Sequence, residues 1–293
     1  MRQWFACAVL SLSLVLSVAA QGPTPSNAAQ AGHAFAPLQQ WANAVSAGDP
    51  AGIAAFYSSS PPPSLIVSSG VITDVPREAT FWASWKKVHL THFGVDLIVD
   101  QPVTPQLHQI GFEAEIKVQG AAGPVDLFAF VQQTWLRQPG GWKIVSGGRS
   151  DLSRLKQPTS LADPIFSKAV NAGAQIAAAL SRATAAHKRV LLDFGGNWCY
   201  DCHVLDMAFR RSDLAPLLAA NYELVNVDVE NFDYNLDIVK RYGLSIDKGV
   251  PMLAVLDGSG KVLVSSSDGS FEQARRLGPE DLIQYLNAWK PAS

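Results

Sequence analysis

The sequence is short of cysteine and of charge. It has 3 cysteines in 293 residues, 16% Asp, Glu, Lys and Arg, and a formal net charge of −2. Each shortage excludes something. Without a dense Lys/Arg cluster there is no electrostatic footprint for nucleic acid or an anionic membrane surface. So few cysteines cannot build the distributed disulfide framework of a small secreted domain. No second C-x-x-C or H-x-H array is present, so a four-ligand metal site finds only His187 and Asp206 as further candidates, and no metal is expected. After residues 1–20, no stretch is apolar for long enough to span a bilayer.

Residues 1–20 have the build of an export signal. Arg2 gives a positive start, residues 4–18 are apolar with Ser11, Ser13 and Ser17 interspersed, and Val18-Ala19-Ala20 offers small residues to a signal peptidase. Cleavage is expected, giving a periplasmic or secreted chain with no membrane segment. The alternative is an uncleaved anchor, for which the apolar run is short. Cys7 lies inside that run and leaves with it, so Cys199 and Cys202 are the cysteines of the mature chain. A bridge between residues so close restrains the unfolded chain little. A chemical role for the pair is therefore expected over a structural one.

With 48% hydrophobic residues, the chain can bury two cores, and its length suits two domains. Residues 21–32 read as a flexible leader of Pro, Ser, Ala and Gly. Residues 33–150 form a first unit. Phe35, Leu38, Trp41, Ala42 and Val45 keep helical spacing, Gly48 stops that helix, and Asp49-Pro50 caps a short second one. A helix over 77–89 follows, then strands over 94–99, 111–119, 125–137 and 142–147, with Leu65-Ile66-Val67 as a further candidate. Helices followed by a curved, mainly antiparallel sheet make an α+β fold. The tryptophans at 41, 82, 85, 135 and 142 are expected in its core. Residues 151–163 read as the linker, and 164–293 as the second unit.

The chemistry lies in the second unit. An Ala-rich helix over 173–187 precedes Val190-Leu191-Leu192-Asp193-Phe194, a short apolar strand of the kind buried on both faces. Gly195-Gly196-Asn197 turns the chain into Trp198-Cys199-Tyr200-Asp201-Cys202, and Val204, Leu205, Met207, Ala208 and Phe209 continue as a helix. A cysteine at a helix start meets unpaired backbone N–H groups, which stabilise its thiolate. The second cysteine, one turn on, is placed to attack a mixed disulfide made by the first. Strands over 222–229 and 252–256, a helix over 236–242, a turn at 257–260, a strand over 261–265 and a last helix from 278 complete the order.

Two resemblances emerge. Residues 33–150, through AVSAGDPAGIAAFY and GWKIVSGGRSD, resemble the nuclear-transport-factor-2-like and ketosteroid-isomerase-like cone fold. That resemblance implies a small apolar ligand held in the cone or a dimer partner on the sheet. Residues from about 170 to 290 resemble a thioredoxin-family domain, α/β in class, through LLDFGGNWCYDC and RYGLSIDKGVPMLAVLDGSGKVL. This implies a thiol–disulfide oxidoreductase that needs no cofactor. Cys199 would be the exposed nucleophile and Cys202 the resolving thiol, together the redox disulfide. Asp193 would be the buried carboxylate under Cys202, Trp198 the flanking aromatic, and Pro251 a cis-proline beside the disulfide. Val250, Tyr200 and Asp201 would meet the substrate, a protein thiol or disulfide, and an upstream redox partner would reset the pair.

Asp201 also bears on the direction of electron flow. An anion within about 7 Å of Cys199 would oppose its thiolate by roughly 1 kcal/mol, which favours a reductant. Two other readings stay open. Cys199-Tyr200-Asp201-Cys202-His203 is a C-x-x-C-H string, the signal for c-type haem attachment, with Met207 or Met252 as a second axial ligand. The other takes the whole chain as a non-catalytic binding or scaffold protein. His203, under the thioredoxin reading, is expected to be a solvated residue of the first helical turn.

Overall fold

The computed structural model describes residues 35–67 and 70–292. The expected export signal (1–20) and leader (21–32) both lie outside the described residues.

The N-terminal body begins with α1 (Ala36–Ala47), which buries Leu38, Trp41, Ala42 and Val45 and ends at Gly48, whose φ of 69° is the left-handed conformation glycine tolerates. Asp49 caps α2 (Pro50–Ala54) by accepting the Ala51 N–H, and Asp74 caps α3 (Val75–Ser84) by accepting that of Arg77. The strands are β1 (Ser64–Val67), β2 (Val71–Thr73), β3 (Leu90–Thr104), β4 (Leu107–Gly120), β5 (Gly123–Gln138) and β6 (Gly141–Arg149). They pair in the order β2-β1-β6-β5-β4-β3, antiparallel except where β1 runs parallel to β6. Register shifts along the β3–β4 ladder bend the long strands. This is the α+β architecture expected, with strands that extend further. β3 runs on through residues 100–104 because it is the sheet edge, where Pro102 costs no ladder bond and exposed residues show no alternation.

Trp41, Trp82 and Trp135 fill the interior of this body and are fully buried, with the Trp41 and Trp82 rings edge to face at 5.2 Å. The cavity beside them, lined by Tyr57, Glu78, Trp82 and Ile144, has a volume of only about 10 Å³. That is room for about one water molecule. Buried Glu78 accepts the Trp82 indole N–H at 2.7 Å and pairs with Arg149 at 3.1 Å.

The C-terminal body comprises α4 (Ala172–Ala185), β7 (Arg189–Gly195), α5 (Tyr200–Phe209), α6 (Ala215–Asn221), β8 (Tyr222–Asp228), α7 (Leu236–Arg241), β9 (Met252–Leu256), β10 (Val262–Ser265) and α8 (Pro279–Trp289). Its sheet order is β10-β9-β7-β8, with β7 parallel to β8 and antiparallel to β9. β7 is buried on both faces. Val190, Leu192 and Phe194 pack with Ile176, Ala179 and Ala183 of α4. Leu191 packs with Val204, Leu205 and Ala208 of α5 and with α8. This is the thioredoxin-like order of strands and helices; α6 is an addition that the sequence pattern did not reveal.

Residues 153–157 are packed against both bodies, while Asp151 and Leu152 before them are exposed. Ser153 exchanges both backbone hydrogen bonds with Phe128 of β5, at 2.8 and 2.9 Å. Leu155 is fully buried in the cluster that contains α5 and α8. Gln157 donates its backbone N–H to Glu113 of β4 at 3.1 Å. Leu155→Ala is therefore expected to lower the unfolding free energy by about 2–5 kcal/mol, read by urea denaturation. A loss below about 0.5 kcal/mol, the range of surface substitutions, would mark the segment as a mere tether.

Candidate active site

β7 delivers the chain to the site. Its last residue, Gly195, must be small, since a Cβ there would stand 2.7 Å from Cys202 Sγ and 2.4 Å from the Phe166 ring. Asn197 then pins the turn. Its Oδ1 accepts the N–H groups of Ile165 and Phe166, and its Nδ2 donates to the Phe166 carbonyl, each at 2.9 Å. Cys199 is the N-cap of α5, and its sulfur accepts the Cys202 N–H at 3.1 Å. The two cysteines are joined as a disulfide, their Cα atoms 5.3 Å apart. So the sulfur does what a Ser or Asp oxygen does at most helix starts. When reduced, it would hold its charge against the positive end of α5.

Opposite the pair lies the loop before β9. The Val250 carbonyl oxygen is 3.5 Å from Cys199 Sγ, and the Val250–Pro251 peptide bond is cis. Trp198 is 48% exposed, its indole N–H held by the Glu230 carbonyl at 2.6 Å and its ring 5.8 Å from that of Phe232. Trp198, Cys199, Val250 and Pro251 are thus brought together, with Cys202 sealed beneath.

Asp193 sits at the centre of the sheet, in register with Asn226 on one side and Leu253 on the other. It alternates with Leu191, on the face that carries α5. It is 1% exposed, and its Oδ1 has no hydrogen-bond partner. Burial, with a smaller contribution from the nearby Asp206 carboxylate, pushes its carboxyl up to about 8. A carboxyl that titrates this close to neutral pH can take a proton in its ionised form and give one in its protonated form. The folded chain holds a proton that the unfolded chain lacks between the ordinary carboxylate value and about 8, so stability falls as pH rises through that window. Asp193→Asn is expected to flatten the fall by a few kcal/mol, measured by denaturant unfolding at acid and alkaline pH with the disulfide intact. Parallel pH dependences in the two proteins would contradict this burial.

Four expectations need correction. Cys199, expected to be exposed, is 4% exposed, with the Val250 carbonyl oxygen against its sulfur. Tyr200 and Asp201 do not line the substrate face. Helical periodicity turns them away from Cys199, and the surrounding segments engage both. The Tyr200 hydroxyl donates to Gln157 Oε1 at 3.0 Å, and its ring lies 5.3 Å from the Arg275 guanidinium. Asp201 is buried; its Oδ1 accepts the backbone N–H of Arg275 at 2.8 Å and the Nε–H at 3.0 Å, and Arg275 Nη2 bonds its Oδ2. The charge expected to oppose the Cys199 thiolate is therefore met by a guanidinium, which removes the ground for assigning a reductant. His203, expected in solvent, is buried with Nε2 2.9 Å from the Asn197 carbonyl oxygen. That engagement, with Met252 buried in the core, leaves little of the haem-attachment geometry. Among the described residues, no cluster of His, Cys, Asp or Glu is arranged to hold a metal ion.

Asn197, Arg275 and Gln157 escaped the sequence reading. Their partners stand 31, 74 and 43 residues away, and no local pattern reports such distances. Only Asn197 carried a signal, as a side-chain acceptor in a Gly-Gly-Asn turn.

A buried strand, a tight turn and a disulfide at a helix N-terminus, faced by a cis-proline loop, define the thiol–disulfide class of site. Residues 171–258 match the family model described as thioredoxin-like. Among solved structures, a disulphide isomerase from Xylella fastidiosa Temecula1 is 32% identical, covering 43% of this chain and 97% of its own, with a TM-score of 0.42. The chain belongs, through its C-terminal body, to the thioredoxin-like family. Structures similar to the N-terminal body include an NTF2-like protein of unknown function from Shewanella oneidensis MR-1, at 16% identity over 40% of this chain and 94% of that one (TM-score 0.33). Another is an NTF2-like protein from Cytophaga hutchinsonii, at 16% identity over 39% and 92% (TM-score 0.33). No curated protein matches the chain.

Proposed function

We propose that this chain is an exported thiol–disulfide oxidoreductase that exchanges the Cys199–Cys202 pair with disulfides or thiols of other proteins. The observation that carries the reading is the placement of Cys199 Sγ as the cap of α5, accepting the Cys202 N–H and facing the Val250 carbonyl oxygen. Membership of the thioredoxin-like family supports the same reaction class, and the build of residues 1–20 supports export.

In the reducing direction, the Cys199 thiolate attacks one sulfur of a substrate disulfide. A Cys199–substrate S–S bond forms, the substrate's own S–S bond breaks, and its second sulfur leaves with the electron pair. Cys202 gives its proton to the Asp193 carboxylate and attacks Cys199 Sγ. That closes the intramolecular disulfide and frees the substrate's two sulfurs, which carry two added electrons and take up two protons, one from solvent in place of that lost by Cys199 and one equivalent to that released again by Asp193. An external dithiol resets the pair, and the opposite direction runs the same steps backwards. Trp198 and the Val250 backbone form the face that an extended substrate segment meets.

The pair is expected to catalyse the reduction of insulin disulfides by a small dithiol. Cys199→Ser combined with Cys202→Ser is expected to bring turnover down to the uncatalysed background. Unchanged turnover in that double variant would refute the redox role and favour a scaffold.

A further inference from the structure

The two residues between the cysteines are held by parts of the molecule that lie far from the redox motif in sequence. Tyr200 reaches Gln157, and Gln157 is itself fixed: its Nε2 donates to the Ser153 hydroxyl at 2.7 Å and the Leu155 carbonyl at 2.8 Å, and its backbone N–H to Glu113 at 3.1 Å. Glu113 belongs to β4 of the N-terminal body and is 1% exposed. The groups around it are Lys156 at 3.8 Å, which also pairs with Asp96 of β3 at 2.6 Å, and Glu115 and Tyr200. On the other side, the Ser153 hydroxyl shares its proton between the Leu155 carbonyl at 2.8 Å and the Arg275 backbone carbonyl at 3.0 Å, and Arg275 holds Asp201. The N-terminal body therefore reaches the first turn of α5 by two routes: Glu113–Gln157–Tyr200 and β5–Ser153–Arg275–Asp201.

That turn carries the N–H that meets the Cys199 sulfur. Its orientation affects a thiolate far more than a disulfide, because a charged acceptor gains more from an aligned donor. We infer that the N-terminal body and the connecting segment set the redox poise of the Cys199–Cys202 couple by gripping Tyr200 and Asp201, which makes Gln157, Glu113 and Arg275 positioning residues for the exchange. This inference rests on the exchange reading above. It also gives the N-terminal body a role that needs no ligand.

The test is the equilibrium between the full-length chain and a glutathione buffer, followed by alkylation and mass. Tyr200→Phe and Gln157→Leu each loosen the turn and weaken the reduced form. Each is expected to shift the equilibrium at least threefold toward the disulfide, about 14 mV for a two-electron couple. The double variant is expected to shift no further than either single one, because both changes cut the same route. Glu113→Leu is expected to follow them, and Glu113→Gln, which keeps an acceptor for the Gln157 N–H, to stay within twofold of the unmodified chain. Tyr200→Phe changes one exposed-edge hydroxyl and decides the matter should Glu113→Leu not fold. Tyr200→Phe and Gln157→Leu equilibria within 1.5-fold of the unmodified chain would overturn the inference. Failure of the unmodified chain to titrate as a two-electron couple would instead overturn the exchange reading itself.

Discussion

A helix that begins inside a protein must give its first N–H groups a partner, and this chain meets that demand with a sulfur atom. Cys199 is both the cap of α5 and the atom that reacts. The rest of the C-terminal body can be traced back to that one contact. β7 must be buried on both faces so that it ends at a fixed point. Gly195 must lack a side chain so that Cys202 can lie against the strand end. Asn197 must tie the turn to the chain at Phe166, so that the cap residue does not drift. Loss of any of these would leave two cysteines in sequence but no helix end to tune them.

Three buried carboxyls show how differently one fold handles the same cost. Glu78 is satisfied by Arg149 and the Trp82 indole; Glu113 accepts the Gln157 backbone N–H on Oε2 and has the Lys156 ammonium 3.8 Å from its unbonded Oε1. Burial still raises both carboxyls above their ordinary values. Asp193 has no cation as partner; the one charge that acts on it, from Asp206, is of the same sign, and its Oδ1 is unbonded. Structural carboxyls acquire partners because an unpaired one costs several kcal/mol. The exception lies on the strand that ends at the disulfide, where a carboxyl that titrates near 8 can take the Cys202 proton when ionised and hand it back when protonated.

What could be read from the sequence was whatever its own neighbours determine. The apolar run of β7, the turn, the helix after it and the Val250-Pro251 step before β9 are each decided within a few residues, and all stand where their pattern placed them. The placement of Tyr200 and Asp201 was not legible. A helical residue faces water or protein according to what packs against it, and here the packing comes from Gln157 and Arg275, far off in the chain. His203 was misread for the same reason, its partner being the carbonyl of a turn whose shape only the fold supplies. In the N-terminal body the second helix announced itself through its cap at Asp49, while the Asp74 cap, which starts α3 two residues ahead of the expected position, went unread. β2, three residues long and largely exposed, offered no alternation to detect.

The account stands on Cys199 being the atom that forms the intermolecular bond and Cys202 the one that breaks it. Cys202→Ser removes the resolving thiol and leaves Cys199 as the cap of α5. Incubated with a disulfide-bonded protein substrate, this variant should accumulate a covalent adduct that maps to Cys199 and dissolves in dithiothreitol. No adduct, or an equal yield from a chain that also carries Cys199→Ser, would contradict the account.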